Sequence, residues 1–225
     1  MNVVLFGASG MVGQGVLREC LRDPGVERVF AVGRTLAHFP DWISGAGAKF
    51  AQVVIPDLRD LYPIETELSE FDACFFCLGV SSLGLSELSY SRVTYDVTVA
   101  VARTLAQLDP DMTFVYVSGA GTDSTENGRS MWARVKGRTE NALQRLPFRA
   151  VYLFRPAAIV PLHGIRSKKG SYRIFYTLAR PILPVLKSIF PKAVTTTEQV
   201  GRAMLAVARN GYPTPVLETR DINSL

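Results

Sequence analysis

A short apolar run that leads directly into a glycine-rich turn constrains the fold of this chain more than any other feature. Residues 3–6 read VVLF, and the sequence continues GASGMVGQG into an apolar-periodic stretch over residues 12–21. The run predicts a buried strand and the periodic stretch predicts a helix. Gly7, Gly10 and Gly13 permit a sharp turn between them and a close approach of the helix to the strand.

The same alternation of strand and helix continues along the chain. Strands that are apolar on both faces and alternate with helices indicate a parallel sheet covered on both sides. We therefore predict an α/β fold with a doubly wound parallel sheet. Further strands are predicted at residues 29–32, 50–55, 73–78, 113–117 and 150–154, and further helices at residues 86–108 and 131–146.

The rhythm changes after residue 156. A basic loop, IRSKKGSYR, precedes a hydrophobic run over residues 174–190 that two prolines interrupt, and a helix ending at Gly211 follows. We expect one nucleotide-binding domain over residues 1–225, in which residues 157–195 form most of a small C-terminal helical cap on the substrate side.

Charge and composition narrow the classes of partner. The chain has 225 residues and a net charge of +5, with the proportions of hydrophobic and charged residues of an ordinary folded protein. The excess of positive charge favours anionic ligands but is small. We expect the protein to act on a small-molecule substrate, which the sequence does not identify. We also expect the protein to be a monomer or a homodimer. The basic cluster Arg166, Lys168, Lys169 and Arg173 is thin support for nucleic-acid or membrane-surface binding, and neither partner is favoured.

The three cysteines indicate a reducing environment. Cys20, Cys74 and Cys77 are an odd and sparse set, and the N-terminal residues lack the pattern of a secretory signal. From this we expect a cytoplasmic protein. Cys74 and Cys77 form C-x-x-C inside a predicted strand, where this spacing places the thiols on opposite faces. A structural role is therefore favoured over a metal or redox site, and no metal is expected.

The glycine turn predicts a phosphate site. The first N–H groups of a helix lack partners within it and lie at the positive end of its dipole, so a strand–turn–helix junction suits a dinucleotide. The second strand ends in Gly33-Arg34-Thr35, without the carboxylate that commonly binds the 2′-hydroxyl of NAD. Because a guanidinium suits a 2′-phosphate, we predict NADP as the cofactor, with NAD as the less favoured alternative.

The ends of the next two strands add polar and glycine positions at the same sheet edge. Asp57 and Leu58 follow the third strand and suit an adenine amino group and its ring face. Gly79 follows the fourth strand, where the backbone would pass close to a ribose. Parallel strands bring their carboxyl ends to one edge, so these positions and the glycine turn should share a site.

Together these motifs resemble the short-chain dehydrogenase/reductase superfamily, in its atypical or extended NAD(P)-binding branch, which includes the Tat-interacting tumour-suppressor oxidoreductase and bacterial relatives. The resemblance rests on GASGMVG, AVGRT, PDL, FFCLGV, YVSGAG, VKGRTE, FRPA and TTEQVGRAML, in the family's order over nearly the whole chain. It implies a Rossmann fold and an oxidoreductase. The implied cofactor-binding residues are Gly7, Ser9, Gly10, Met11, Val12, Gly13, Arg34, Asp57, Leu58, Cys77, Leu78, Gly79, Lys136 and Pro156.

The resemblance also implies catalytic positions. Ser118 matches the serine that polarises the substrate, and Lys136 matches the lysine that holds the nicotinamide ribose. Trp132 stands where the family has its proton-donating tyrosine, and Thr94 stands where extended members often have an asparagine. An indole N–H cannot serve as a general acid. Both departures therefore concern proton transfer and leave cofactor binding intact.

Three functions remain open from the sequence. The first is an NADP-dependent oxidoreductase acting on an unknown carbonyl or alcohol, with water, the substrate or one of Tyr116, Tyr172 and Tyr176 supplying the proton. The second is a non-catalytic NADP-binding sensor or scaffold, suggested by Trp132. The third is an anionic-surface binder that uses the basic loop.

Overall fold

A computed structural model describes residues 1–35, 47–165 and 193–225. In these residues seven strands form one sheet, in the spatial order Phe50–Val54, Arg28–Gly33, Asn2–Phe6, Ala73–Phe76, Thr113–Val117, Ala150–Arg155 and Val216–Glu218, and every neighbouring pair is parallel. The order reverses between Asn2–Phe6 and Ala73–Phe76, which is where a doubly wound sheet binds ligands at the carboxyl ends of its strands. The predicted fold class is confirmed.

The elements follow one another in regular alternation. The strands are β1 (Asn2–Phe6), β2 (Arg28–Gly33), β3 (Phe50–Val54), β4 (Ala73–Phe76), β5 (Thr113–Val117), β6 (Ala150–Arg155), β7 (Ala158–Val160), β8 (Val194–Thr196) and β9 (Val216–Glu218). The α-helices are α1 (Met11–Arg22), α2 (Glu87–Ser91), α3 (Val97–Leu108), α4 (Met131–Leu143), α5 (Thr197–Asn210) and α6 (Thr219–Ser224). Short 3₁₀ helices cover Gly47–Lys49 and Tyr62–Leu68, and a π-helical turn covers Arg92–Asp96.

Two hydrophobic clusters cover the two faces of the sheet. One contains side chains from α1 and α5, such as Leu17 and Met204, and the other contains side chains from α3, such as Leu105. The strands contribute alternate residues to each cluster, as the period of a strand requires. Cys74 lies in the second cluster and Cys77 packs against the first, so the expected placement of these two thiols on opposite faces is confirmed.

The structure differs from the sequence prediction in several elements. The helix predicted over residues 86–108 is divided by the π-helical turn, and the predicted fourth strand ends at Phe76. The three-residue strands β7, β8 and β9 were not predicted, because a strand of that length has too few residues to show a period. β7 and β8 form a separate parallel pair.

Most of the expected cap lies outside the described residues. These begin again at residue 193, so the basic loop from Arg166 onward, Tyr172 and Tyr176 are not described. The assignment of residues 157–195 to a substrate-side cap therefore stays a prediction. Within the described ranges, no helix is both long enough and apolar enough to cross a membrane.

Candidate active site

A cavity of about 330 Å³ opens at the carboxyl edge of the sheet, beside the reversal of strand order. It brings together the glycine turn after β1 and the ends of β2, β3 and β4. Its lining consists of Gly7, Ala8, Ser9, Ala31, Val32, Gly33, Arg34, Thr35, Gln52, Val53 and Leu78. No aspartate or glutamate is among these described lining residues, so the cavity suits an anion.

The glycine turn is too tight for side chains at two of its glycines. Gly7 has φ +85°, and a Cβ on it would lie 2.7 Å from the carbonyl carbon of Cys77. A Cβ on Gly13 would lie 2.1 Å from the Gly7 carbonyl oxygen. Gly10 caps α1 without a side-chain hydrogen bond, and the first turn of α1 has no acidic residue. The first N–H groups of α1 are thus directed towards the turn without a competing side-chain acceptor.

The other residues of the turn contribute through their backbone. The side chains of Met11 and Val12 pack against the core, which leaves their N–H groups at the start of α1. Ser9 lines the cavity, and its carbonyl oxygen accepts a hydrogen bond of 3.2 Å from Gln14 Nε2. This bond fixes the turn against the helix that follows it.

Replacing Gly13 with alanine is expected to destabilise the protein by about 1–3 kcal/mol, the usual cost of overpacking. The new methyl group would overlap the backbone of Gly7, which cannot move without displacing β1. Urea unfolding measures the change. Gly79→Ala is the matched control, because a Cβ there meets open space, and its unfolding midpoint should equal that of the wild type. Equal midpoints for all three proteins would contradict the close packing described for the turn.

Among the described lining residues, Arg34 is the charged one, and no carboxylate lies beside it. Arg34 is exposed at the end of β2 and borders the cavity with Thr35. Asp57 is not among the lining residues. Its carboxylate accepts a fork of hydrogen bonds from Arg59, at 2.6 to 3.1 Å, and these bonds lower the pKa of Asp57 to about 2. Adenine would have to compete with this intramolecular ion pair.

The expected contact of Leu58 with an adenine ring is corrected by the structure. Leu58 is only 2% exposed and belongs to the second hydrophobic cluster, so its side chain has no free face for stacking. The sequence could not distinguish these possibilities, because an apolar residue after a strand suits both a ligand and the core.

The end of β4 passes directly beside the glycine turn. Cys77 donates its backbone N–H to Phe6 at 2.9 Å, and Leu78 lines the cavity. Burial raises the pKa of the Cys77 thiol, which is therefore not a reactive thiolate. The open space next to Gly79 leaves room for a ligand at this position.

The end of β5 carries Ser118 on a turn fastened to β6. The Ser118 N–H donates to the Phe154 carbonyl at 2.7 Å, and the Ala120 N–H donates to the Pro156 carbonyl at 3.0 Å. The SGAG and FRPA motifs are thus held side by side, with Pro156 buried. The Ser118 hydroxyl lies 2.8 Å from the Thr122 hydroxyl, which also contacts the Gly119 carbonyl at 2.8 Å.

Lys136 reaches the same turn from α4. Its ammonium group donates to the Ser118 carbonyl at 3.1 Å and to the Val117 carbonyl at 3.5 Å. Burial lowers the pKa of Lys136 to about 8, and the negative charge of Glu140 opposes this effect. The carboxylate of Glu140 is itself bound by Arg155, through Nε at 3.1 Å and through a second, shorter contact. Ser118 and Lys136 are therefore neighbours, and their roles towards a substrate and a ribose stay predictions.

Trp132 begins the same face of α4, one turn before Lys136. Its indole edge lies 3.6 Å from where a Cβ on Gly121 would be, so the ring packs over the turn that carries Ser118. Thr94 lies in the π-helical turn and is 6% exposed. Interruptions of this kind are frequent near functional sites.

Tyr116 is not placed to exchange a proton with a substrate. Its side chain is fully buried, its ring lies 5.3 Å from the Lys136 ammonium nitrogen, and burial raises the pKa of the phenol. It packs in the core, so this candidate donor is removed. Thr122 and the Glu140–Arg155 pair were missed by the sequence reasoning, because an isolated polar residue carries no periodic signal.

Solved structures share the fold of this chain. The Bordetella bronchiseptica enzyme WbmF in complex with NAD⁺ has a TM-score of 0.67 and 18% identity, over 99% of this chain and 76% of that one. An oxidoreductase of the short-chain dehydrogenase/reductase family from Burkholderia thailandensis has a TM-score of 0.68 and 16% identity, over 99% of this chain and 92% of that one. The chain has the Rossmann fold of the short-chain dehydrogenases/reductases. The resemblance noted from the sequence is confirmed.

Curated relatives are similar to this chain in sequence over about 70% of its length. The mitochondrial protein fmp52 of Emericella nidulans is 26% identical over 161 residues, which are 70% of this chain and 66% of the relative. HTATIP2 of Rattus norvegicus is 26% identical over 159 residues, which are 71% of this chain and 63% of the relative. The chain thus spans about two thirds of the length of these relatives. No protein-family model matches it.

The expected cytoplasmic location is corrected by the same comparison. Fungal relatives from Emericella nidulans, Aspergillus clavatus and Saccharomyces cerevisiae have names that place them in mitochondria. A sparse set of unpaired thiols indicates a reducing environment but does not indicate which compartment supplies it. The cysteine count was therefore insufficient for the inference that was drawn from it.

Proposed function

We propose that this protein is an NADP-dependent oxidoreductase that interconverts a carbonyl and an alcohol. The observation that carries the proposal is the cavity of about 330 Å³, in which the glycine turn and Arg34 border one space and the described lining contains no carboxylate. The NAD⁺ named in the WbmF complex supports a nicotinamide dinucleotide in this fold. Arg34 supports NADP over NAD, because a guanidinium binds a phosphate with charge-assisted hydrogen bonds.

The residues present fit such a cofactor. The glycine turn and the start of α1 would hold the pyrophosphate, and Arg34 would hold the 2′-phosphate. Lys136 would hold the nicotinamide ribose, beside Gly79 and Pro156. When bound, the cofactor supplies or accepts a hydride. Ser118 would hold the substrate oxygen, and its turn is fixed by the bonds to β6. Trp132 packs against Gly121 and would cover that side of the site without supplying a proton.

A non-catalytic sensor is the second candidate, and Trp132 is the observation that favours it. Its indole covers the turn where the family places a tyrosine, so the protein would bind NADP without transferring a proton efficiently. Wild-type turnover of any carbonyl at a rate above the free-cofactor background would exclude this candidate.

Replacing Arg34 with alanine tests the cofactor proposal. The wild type should bind NADPH at least ten times more tightly than NADH, and the variant should lose about 10-fold or more of its NADPH affinity, the value of charge-assisted bonds, without losing NADH affinity. Cofactor fluorescence measures both constants. Arg103→Ala, an exposed arginine on α3, is the matched control for charge and should change neither constant. A wild type that prefers NADH would contradict the assignment of NADP.

The oxidoreductase proposal is tested by following NADPH absorbance with a panel of aldehydes, ketones and quinones. We expect slow turnover of at least one of them, which Ser118→Ala reduces further. Binding of NADPH without turnover of any compound in the panel would favour the sensor instead.

A further inference from the structure

The hydroxyl of Ser118 forms a hydrogen bond with the hydroxyl of Thr122. Ser118 Oγ and Thr122 Oγ1 are 2.8 Å apart, and Thr122 Oγ1 donates to the Gly119 carbonyl at 2.8 Å. A hydroxyl has one proton and two lone pairs. Since the Thr122 hydroxyl donates its hydrogen bond to the Gly119 carbonyl, the hydrogen bond between the two hydroxyls is donated by Ser118. In this arrangement Ser118 can accept a hydrogen bond from a ligand but cannot donate one.

This arrangement can be reversed at small cost. The Gly119 carbonyl also accepts the Thr122 backbone N–H at 3.2 Å, so it keeps a partner when the Thr122 hydroxyl turns away from it. After that rotation Thr122 donates to Ser118, and the Ser118 proton is free. Each hydroxyl keeps its own proton throughout. A hydroxyl that accepts a hydrogen bond is also polarised into a stronger donor.

We propose that Thr122 is a positioning residue that sets the direction of the Ser118 hydroxyl, so that one site fits both the alcohol and the carbonyl form of a substrate. An alcohol donates to Ser118 in the arrangement of the free protein, and a carbonyl accepts from Ser118 after the reversal. The inference rests on the proposed oxidoreductase function and deepens it, because it assigns the site to a substrate whose oxygen changes between donor and acceptor.

The surroundings of Thr122 allow this role. Thr122 is 7% exposed, so water does not compete for its hydroxyl. The backbone of the turn is fixed at Ser118 and at Ala120, by hydrogen bonds to the carbonyls of Phe154 and Pro156, so the rotation of two hydroxyl groups requires no movement of the chain. A serine at position 122 would keep the hydroxyl, whereas a valine would keep the shape and remove it.

The test compares Thr122→Val with Thr122→Ser in both directions of the reaction. Thr122→Val is expected to lower kcat/KM by roughly 2- to 10-fold, the value of one neutral hydrogen bond, for the carbonyl and for the alcohol. Thr122→Ser is expected to restore the wild-type value. Thr98→Val is the matched control: Thr98 is 2% exposed, and its hydroxyl donates only within its own helical segment, to Thr94. It should leave kcat/KM and the NADPH dissociation constant unchanged.

A double-mutant cycle with Ser118→Ala decides whether Thr122 acts through Ser118. If it does, Thr122→Val has no further effect in the Ser118→Ala background. An equal loss in both backgrounds, or a Thr122→Val variant as active as the wild type, overturns the inference. An unfolding midpoint lowered in Thr122→Val but not in Thr98→Val would indicate a structural role and overturn it also. Absence of wild-type turnover is a different result, because it removes the proposed function itself.

Discussion

Trp132→Tyr is expected to raise the rate of NADPH-dependent carbonyl reduction by about 10²- to 10⁴-fold, the contribution of a positioned general acid. Trp132 and Lys136 lie one turn apart on the same face of α4, and the indole packs over Gly121 in the turn that carries Ser118. A phenol at this position would face the same turn. The Lys136 ammonium would lower the pKa of that phenol, as any nearby positive charge does.

The measurement is kcat for the most reactive carbonyl of the panel, with the NADPH dissociation constant determined alongside. The dissociation constant should stay the same, because Trp132 packs over Gly121 and is not among the residues proposed to hold the cofactor. Trp132→Phe is the matched control, since it makes the same reduction in ring size without a hydroxyl. A gain in Trp132→Phe equal to that in Trp132→Tyr would mean that the indole only obstructs the site.

Lys136→Met is expected to weaken NADPH binding by about 10- to 100-fold, the value of hydrogen bonds from a charged donor. In the free protein the ammonium group donates to the carbonyls of Val117 and Ser118, at the edge where the ribose would bind. Methionine keeps the length of the side chain and removes the donor. Fluorescence titration with NADPH at pH 7 measures the loss.

The pH dependence gives the same experiment a second readout. Burial lowers the pKa of Lys136 to about 8, so the wild-type affinity for NADPH should fall as the pH rises from 7 to 9 and the ammonium is lost. Lys136→Met should show no fall in this window. Lys136→Arg keeps its charge throughout and should also be independent of pH, while binding more tightly than the methionine variant.

Stability should change in the opposite direction over a higher window. The folded protein releases the Lys136 proton near pH 8, whereas the unfolded chain retains it up to the ordinary lysine value of 10.5. The unfolded state therefore binds more protons between these values, and the free energy of unfolding rises with pH. A wild type and a Lys136→Met variant with the same slope in this window would contradict the burial of the ammonium group.

The sheet could be predicted from the sequence because its strands are apolar on both faces. Runs such as residues 3–6 and 73–76 have only apolar side chains, and the helices along the chain have a clear period. The π-helical turn over Arg92–Asp96 could not be predicted, because an inserted residue shifts the period of a helix without interrupting its apolar pattern. The three-residue strand β9 is identified by its parallel pairing with β6, which the sequence alone does not show.

The candidate site divides in the same way. The glycine turn and Arg34 were found from their positions after strands, since the carboxyl ends of parallel strands share one edge. Asp57 and Leu58 are adjacent residues after the same strand, yet the Leu58 side chain is buried in the core and the Asp57 carboxylate binds Arg59. Which way a side chain points after a strand depends on packing that the sequence pattern does not contain. Thr122 was missed because an isolated polar residue in a turn carries no periodic signal.

The parallel pairing of β7 with β8 joins two stretches of the chain that are far apart in the sequence. Ala158 pairs with Val194 and Val160 with Thr196, and α5 then packs against α1 at Gly15 and Gly201. The chain that leaves β6 is thus tied by backbone hydrogen bonds to the start of α5. Because these bonds join backbone groups, the tie depends little on which side chains the paired residues carry.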